Sequence, residues 1–95
     1  MKIVIPLSQK DGGIVTLKEA KLYAIVQVNE SMQIEDITYT EDFSQEFFEY
    51  IVTPDKNDEL DEAYELGARA LLAREGMDID EIIEAMMFRE LDEIV

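Results

Sequence analysis

The chain has 95 residues, among them eight lysines and arginines, 23 aspartates and glutamates, and no histidine or cysteine, for a formal net charge of −15. Its length fits one domain over residues 1–95, since a chain of this size buries only roughly two-thirds of its unfolded surface and cannot divide that core. Lacking histidine and cysteine, it has no disulfide, none of the usual zinc, haem or iron–sulfur ligands, and neither the commonest general base nor the strongest side-chain nucleophile.

Lys2 to Leu7 alternates as a first strand, with Ile3, Ile5 and Leu7 on one side. Pro6 lacks an amide hydrogen, which places this segment at a sheet edge or at the strand's end. Asp11-Gly12-Gly13 then reads as a turn; without Gly-x-Gly-x-x-Gly or Gly-Lys-Ser/Thr it is no phosphate loop. The apolar run Leu22 to Val28 suits a central strand, Asn29-Glu30-Ser31 turns the chain, and Met32 to Thr40 returns as a third strand. Strict alternation would put Ile34 and Ile37 on opposite faces, so a bulge is expected near Glu35-Asp36.

Helical spacing begins after Thr40. Asp42 with Gln45 predicts a helix over 43–52 that places Phe43, Phe47, Phe48 and Ile51 on one face and ends before Pro54. A second helix is predicted over 58–75, carrying Leu60, Ala63, Tyr64, Gly67 and Leu71, with a close backbone approach at Gly67 and a stop at Gly76. Asp78 and Glu81 form a capping pair for a third helix over 79–92, along which Ile79, Ile82, Ile83, Met86, Met87 and Leu91 recur. Strands followed by helices give an α+β class: a small, mainly antiparallel three-stranded sheet packed with two or three acidic amphipathic helices. A fourth strand near the C-terminus is the alternative to the third helix.

The oxygen ligands that remain do not form a recognisable metal site. Asp55-Lys56-Asn57-Asp58-Glu59-Leu60-Asp61 alternates like a calcium loop, but Leu60 and Leu66 stand where the glycine and bidentate glutamate are required. Asp36, Asp42, Asp58, Asp61, Asp78 and Asp80 are candidate acid–base pairs for a metal-independent enzyme, yet none is marked as lying in an apolar pocket. A non-enzymatic protein without cofactor is therefore the expectation.

Charge suggests what it meets instead. Residues 1–40 hold five acids against four bases, whereas residues 41–95 hold 18 against four. Such a field repels nucleic acid and anionic lipid and favours a basic protein partner. Met86, Met87 and Phe88 are the candidate partner surface, because thioethers repack around varied contacts. An acidic nucleic-acid mimic that blocks a DNA-binding protein is the alternative. No apolar stretch approaches the roughly 18 residues of a membrane span, and Met1 to Pro6 is too short and alternating for a signal peptide, so the expected compartment is the cytoplasm.

Met1-Lys2-Ile3-Val4-Ile5-Pro6, a glycine-containing turn, Ala20-Lys21-Leu22-Tyr23-Ala24-Ile25-Val26-Gln27-Val28 and Leu71-Leu72-Ala73-Arg74-Glu75-Gly76-Met77-Asp78-Ile79 together resemble the dinitrogenase iron–molybdenum cofactor biosynthesis accessory family over about half the chain. The resemblance implies a ribonuclease H-like arrangement of sheet and helices. Thr16-Leu17-Lys18 stands where the family carries a His-Phe-Gly-like element, and Asp80 to Met87 where it carries an apolar strand and glycine-rich turn. The implied relative is one that has lost metal-cluster chemistry, and no functional residue transfers.

Overall fold

The computed structural model describes residues 1–95 as one mixed six-stranded sheet with a helix on each face. The elements are β1 (Lys2–Leu7), β2 (Leu22–Val28), β3 (Ile34–Thr40), β4 (Tyr50–Thr53), α1 (Asp61–Glu65), β5 (Arg69–Leu72), α2 (Ile79–Met87) and β6 (Asp92–Ile94). The strand order is β3-β2-β1-β4-β5-β6. β1, β4 and β5 run parallel, while β2 is antiparallel to both β1 and β3, and β6 to β5.

This corrects the expected three-stranded antiparallel sheet and its three long helices. The segment expected as helix 43–52 is a turn followed by β4, and helix 58–75 shrinks to the five residues of α1 before β5 begins. The third helix is present but ends at Met87 instead of 92, and β6 follows it. The reason lies in length: β4 and β5 have four residues each, and in an apolar run that short a strand buried on both faces has the same pattern as one turn of helix.

β1 is the centre of the sheet rather than its edge, with Ile3 to Leu7 fully buried. Ile3, Ile5 and Leu7 face Ile82, Ile83 and Ala85 of α2, and Val4 faces Phe43, Phe48 and Ala63 on the other side. Pro6 is tolerated because pairing between β1 and β4 stops at Val4, so its ring faces no ladder acceptor; there its carbonyl accepts from the Val15 amide at 3.1 Å. The bulge falls where alternation requires it. Gln27 pairs Asp36 and Val28 pairs Ile34, which leaves Glu35 extra and turns Ile34 and Ile37 towards the same core.

Both helices end in the same hydrogen-bond pattern. At α1 the Ala68 amide donates to the Ala63 carbonyl and the Gly67 amide to Tyr64; at α2 the Glu90 amide donates to Ala85 and the Arg89 amide to Met86. This paired closure needs a left-handed residue just past the cap. Gly67, at φ +89°, fills that role for α1, and no atom lies near the Cβ it lacks. The expected close approach at Gly67 is therefore replaced by a helix stop. α2 starts on the Asp78–Glu81 capping box, worth about 1 kcal/mol. Each helix is also held by the apolar surface it buries on the sheet.

Candidate functional site

Parallel strands give the sheet two unlike ends, and the carboxyl end is where open α/β sheets commonly bind ligands, at the point where the connections diverge. Here β1 leads to β2 on one side and β4 to β5 on the other. The chain fills that position itself. The Ile14 amide donates to the Met77 carbonyl at 2.8 Å, Val15 to Pro6 at 3.1 Å, and Leu17 to the Asp58 carboxylate at 2.8 Å. The same Asp58 oxygen accepts from the buried Thr53 hydroxyl at 2.6 Å, and its other oxygen accepts from the Glu59 amide. Asp55 likewise accepts from the Asn57 amide. Asp55 and one Asp58 oxygen thus hold their own loop's backbone, while the other Asp58 oxygen fastens that loop to Leu17 and Thr53.

The other acid–base candidates are scattered. Asp78 caps α2, Asp36 lies exposed on β3, Asp61 and Asp80 sit in the first turns of α1 and α2, and Asp42 accepts from the Ser44 amide. That last bond holds the Asp42 carboxyl below its ordinary range. No three carboxylates gather in a metal-binding arrangement. The Tyr23 proton is held more tightly than usual: burial raises its pKa first, and the carboxylates of Glu62, Asp58 and Asp42 add to it.

The amino end of the parallel strands is different. An apolar groove of about 420 Å³ opens there, lined by Met1, Met32, Tyr50, Leu71, Met86 and Leu91, with Arg89 and Glu93 at its rim. Three of its walls are thioethers, which adapt their shape to what they touch. Glu93 is engaged by Arg69 at 3.2 Å, the chain's single ion pair, whereas Arg89 has no acidic partner. Only two non-glycine residues have positive φ, Met32 at 61° and Arg89 at 55°, and both line this groove. Met32 is forced into that conformation by the β2–β3 turn, where the Asn29 side chain accepts from the Ser31 and Gln33 amides and the Met32 amide donates to the Asn29 carbonyl. A left-handed L-residue costs roughly 1–2 kcal/mol, so the two together are a local strain that the rest of the fold sustains.

Of the expected partner surface, Met86 is half-buried and forms part of the groove, while Met87 and Phe88 stand exposed at the end of α2. Met1, Met32, Tyr50, Leu71, Arg89 and Leu91 were not legible as companions, because only the sheet order brings β1, β4, β5 and the end of α2 together. No helix is long and apolar enough to cross a membrane.

No protein-family model matches the chain, and no curated protein matches it in sequence. Solved structures share its fold. A protein from Methanocaldococcus jannaschii, provisionally named a dinitrogenase, superposes with a TM-score of 0.77 at 19% identity, covering 99% of this chain and 94% of its own. A protein from Thermotoga, provisionally named NifB and placed in the DUF35 family, superposes at 0.74 and 14% identity, covering 97% of this chain and 91% of its own. The resemblance read from the sequence is thus met by nitrogenase-related neighbours at the level of the fold.

Proposed function

We propose that the protein is a non-enzymatic accessory module, a divergent relative of the nitrogenase cofactor biosynthesis family without cluster ligands, that docks on a basic protein partner. The observation that carries this reading is the methionine-walled groove whose lining includes both left-handed non-glycine residues of the chain. Strained backbone persists where the surrounding structure over-determines it, and it concentrates at sites of recognition. Charge supports the choice of partner: 23 acids face only one intramolecular ion pair, so the acidic surface is left for counter-ions or a basic protein. The accessory role is supported by the fold-level likeness to proteins named for nitrogenase chemistry and by the N-terminal stretches quoted above.

Affinity capture on the immobilised chain at 0.1 M and 1 M salt, with and without the exposed double change Met87→Ser, Phe88→Ala, tests the reading. A basic protein that is retained by the parent and weakened by the double variant is the expected result. Salt should weaken it further, since the screening length falls from roughly 10 Å to about 3 Å over that range. Stoichiometric iron, molybdenum or zinc in the purified chain after chelation would overturn the part of the reading that dispenses with clusters.

A further inference from the structure

Phe47 is 91% exposed, the most exposed large apolar side chain apart from the terminal Val95. A single exposed apolar residue is ordinary on a protein surface. Phe47 differs in how it is held and in what lies near it. The loop between β3 and β4 is pinned at several points: the Thr40 hydroxyl donates to the Asp42 carbonyl at 2.9 Å, the Ser44 amide to the Asp42 carboxylate at 2.9 Å, and the Glu46 amide to the Phe43 carbonyl at 3.0 Å. The Glu49 amide donates to the Lys2 carbonyl at 3.0 Å, while the Lys2 amide donates back to the Glu49 carboxylate. Beneath it, Tyr23, Phe43 and Phe48 stack edge to face with centroids 4.9 and 5.6 Å apart. Phe48 is buried by this stack, so the next residue back along the chain points outward.

Topology gathers other apolar groups at the same end of the molecule. Met1, Phe47 and Leu66 each precede one of the parallel strands β1, β4 and β5, and Met87 and Phe88 end α2 beside the groove that Met1 lines. Five of the eight exposed large apolar side chains lie there. A second surface depression, formed by Met1, Phe48, Glu49, Tyr50, Gly67 and Arg69, shares Met1 and Tyr50 with the groove and extends it towards the loop that carries Phe47.

From this we infer that Phe47 is a preorganised aromatic anchor, flanked by Glu46 and Glu49, that inserts into an apolar pocket rimmed by lysine or arginine on a partner protein. Charge selects that occupant. A second copy of this chain would bring another −15 to the contact, and anionic lipid would be repelled by the same field. A rigid loop loses little conformational freedom on binding, and buried aromatic anchors near the centre of an interface carry most of its affinity. The inference rests on the interaction reading and deepens it by adding an anchor at the same end of the sheet as the groove.

The test places the photo-reactive residue p-benzoylphenylalanine at position 47 of the full chain, irradiates in lysate, and maps the adduct by mass spectrometry. The purified partner is then titrated against the parent, Phe47→Ala, Glu46→Gln and the Met87→Ser, Phe88→Ala double variant, with thermal midpoints confirming that each is folded. Expected is one adduct on an apolar residue within a Lys- or Arg-rich segment, roughly tenfold or greater weakening by Phe47→Ala, and a smaller, salt-sensitive loss with Glu46→Gln. No adduct, adducts only to another copy of this chain, or a partner whose affinity ignores Phe47→Ala overturns the anchor. Loss with Phe47→Ala but not with the double variant upholds the anchor and rejects the exposed Met87–Phe88 surface; the reverse pattern does the opposite.

Discussion

Gly13 and Gly76 meet backbone to backbone: a Cβ built on Gly13 would collide with the Gly76 carbonyl oxygen and lie 2.7 Å from its carbon and 2.8 Å from its Cα. The next residues lock the approach, with the Ile14 amide donating to the Met77 carbonyl at 2.8 Å. The loop after β1 is thereby fastened to the loop that launches α2.

Gly13→Ala should therefore cost about 1–3 kcal/mol through overpacking, since backbone atoms cannot yield as a side chain can. Gly76→Ala should cost about 1–2 kcal/mol for a different reason, its φ of +77°, because no atom lies within 4 Å of the added Cβ. Urea unfolding of both variants checks the pair. A Gly13→Ala midpoint equal to the parent's would mean that the two loops do not touch in solution.

Asp58 is the second fastening. Asp58→Ala leaves the fully buried Thr53 hydroxyl and the Leu17 amide short of their acceptor, and we expect a loss of about 2–3 kcal/mol. Asp58→Asn keeps an acceptor oxygen and should cost about 1 kcal/mol. A double-mutant cycle with Thr53→Val should return a coupling of about 1 kcal/mol. Strict additivity would remove the Thr53–Asp58 bond from the account.

Arg89 occupies the position that Gly67 fills at the end of α1. Arg89→Gly should raise stability by about 1 kcal/mol, because the left-handed conformation then costs nothing sterically. Gly67→Ala should lower it by a similar amount. Thermal melts of both variants check the pair, and an Arg89→Gly midpoint no higher than the parent's would remove the backbone strain from the account.

Tyr23 sets a pH response. Its phenol is held above the ordinary value of 10.0 in the folded chain, by burial first and then by Glu62, Asp58 and Asp42. The unfolded chain gives up this proton first, so the contribution is complete below pH 10 and is lost as pH rises through the folded-state value. Thermal midpoints of the parent should fall more steeply above pH 10 than those of Tyr23→Phe. Parallel curves would show that the phenol is as free in the folded chain as in the unfolded one.

Some of this was legible in the residues alone. The first three strands, the bulge required by Ile34 and Ile37, and the capping box of Asp78 and Glu81 are local matters, decided by alternation over six or seven residues and by side chains reaching their own backbone. The absence of histidine and cysteine and the charge of −15 limited the chemistry before any fold was known.

What the tertiary structure decided is long-range. Tyr50–Thr53 and Arg69–Leu72 become strands because β1 offers one of them a parallel edge and the first then offers an edge to the second, an energy that no four-residue window contains. Phe47 and Phe48 fall on opposite sides of the surface because their segment approaches β4 extended, where a helix would have put both on one face. Met32 and Arg89 take left-handed backbones that their side chains disfavour, and Met1, Tyr50 and Met86 join them only because the sheet order places their elements at one end. Composition could say that the protein is acidic and poor in catalytic groups; where its apolar surface gathers was set by pairing between strands distant in sequence.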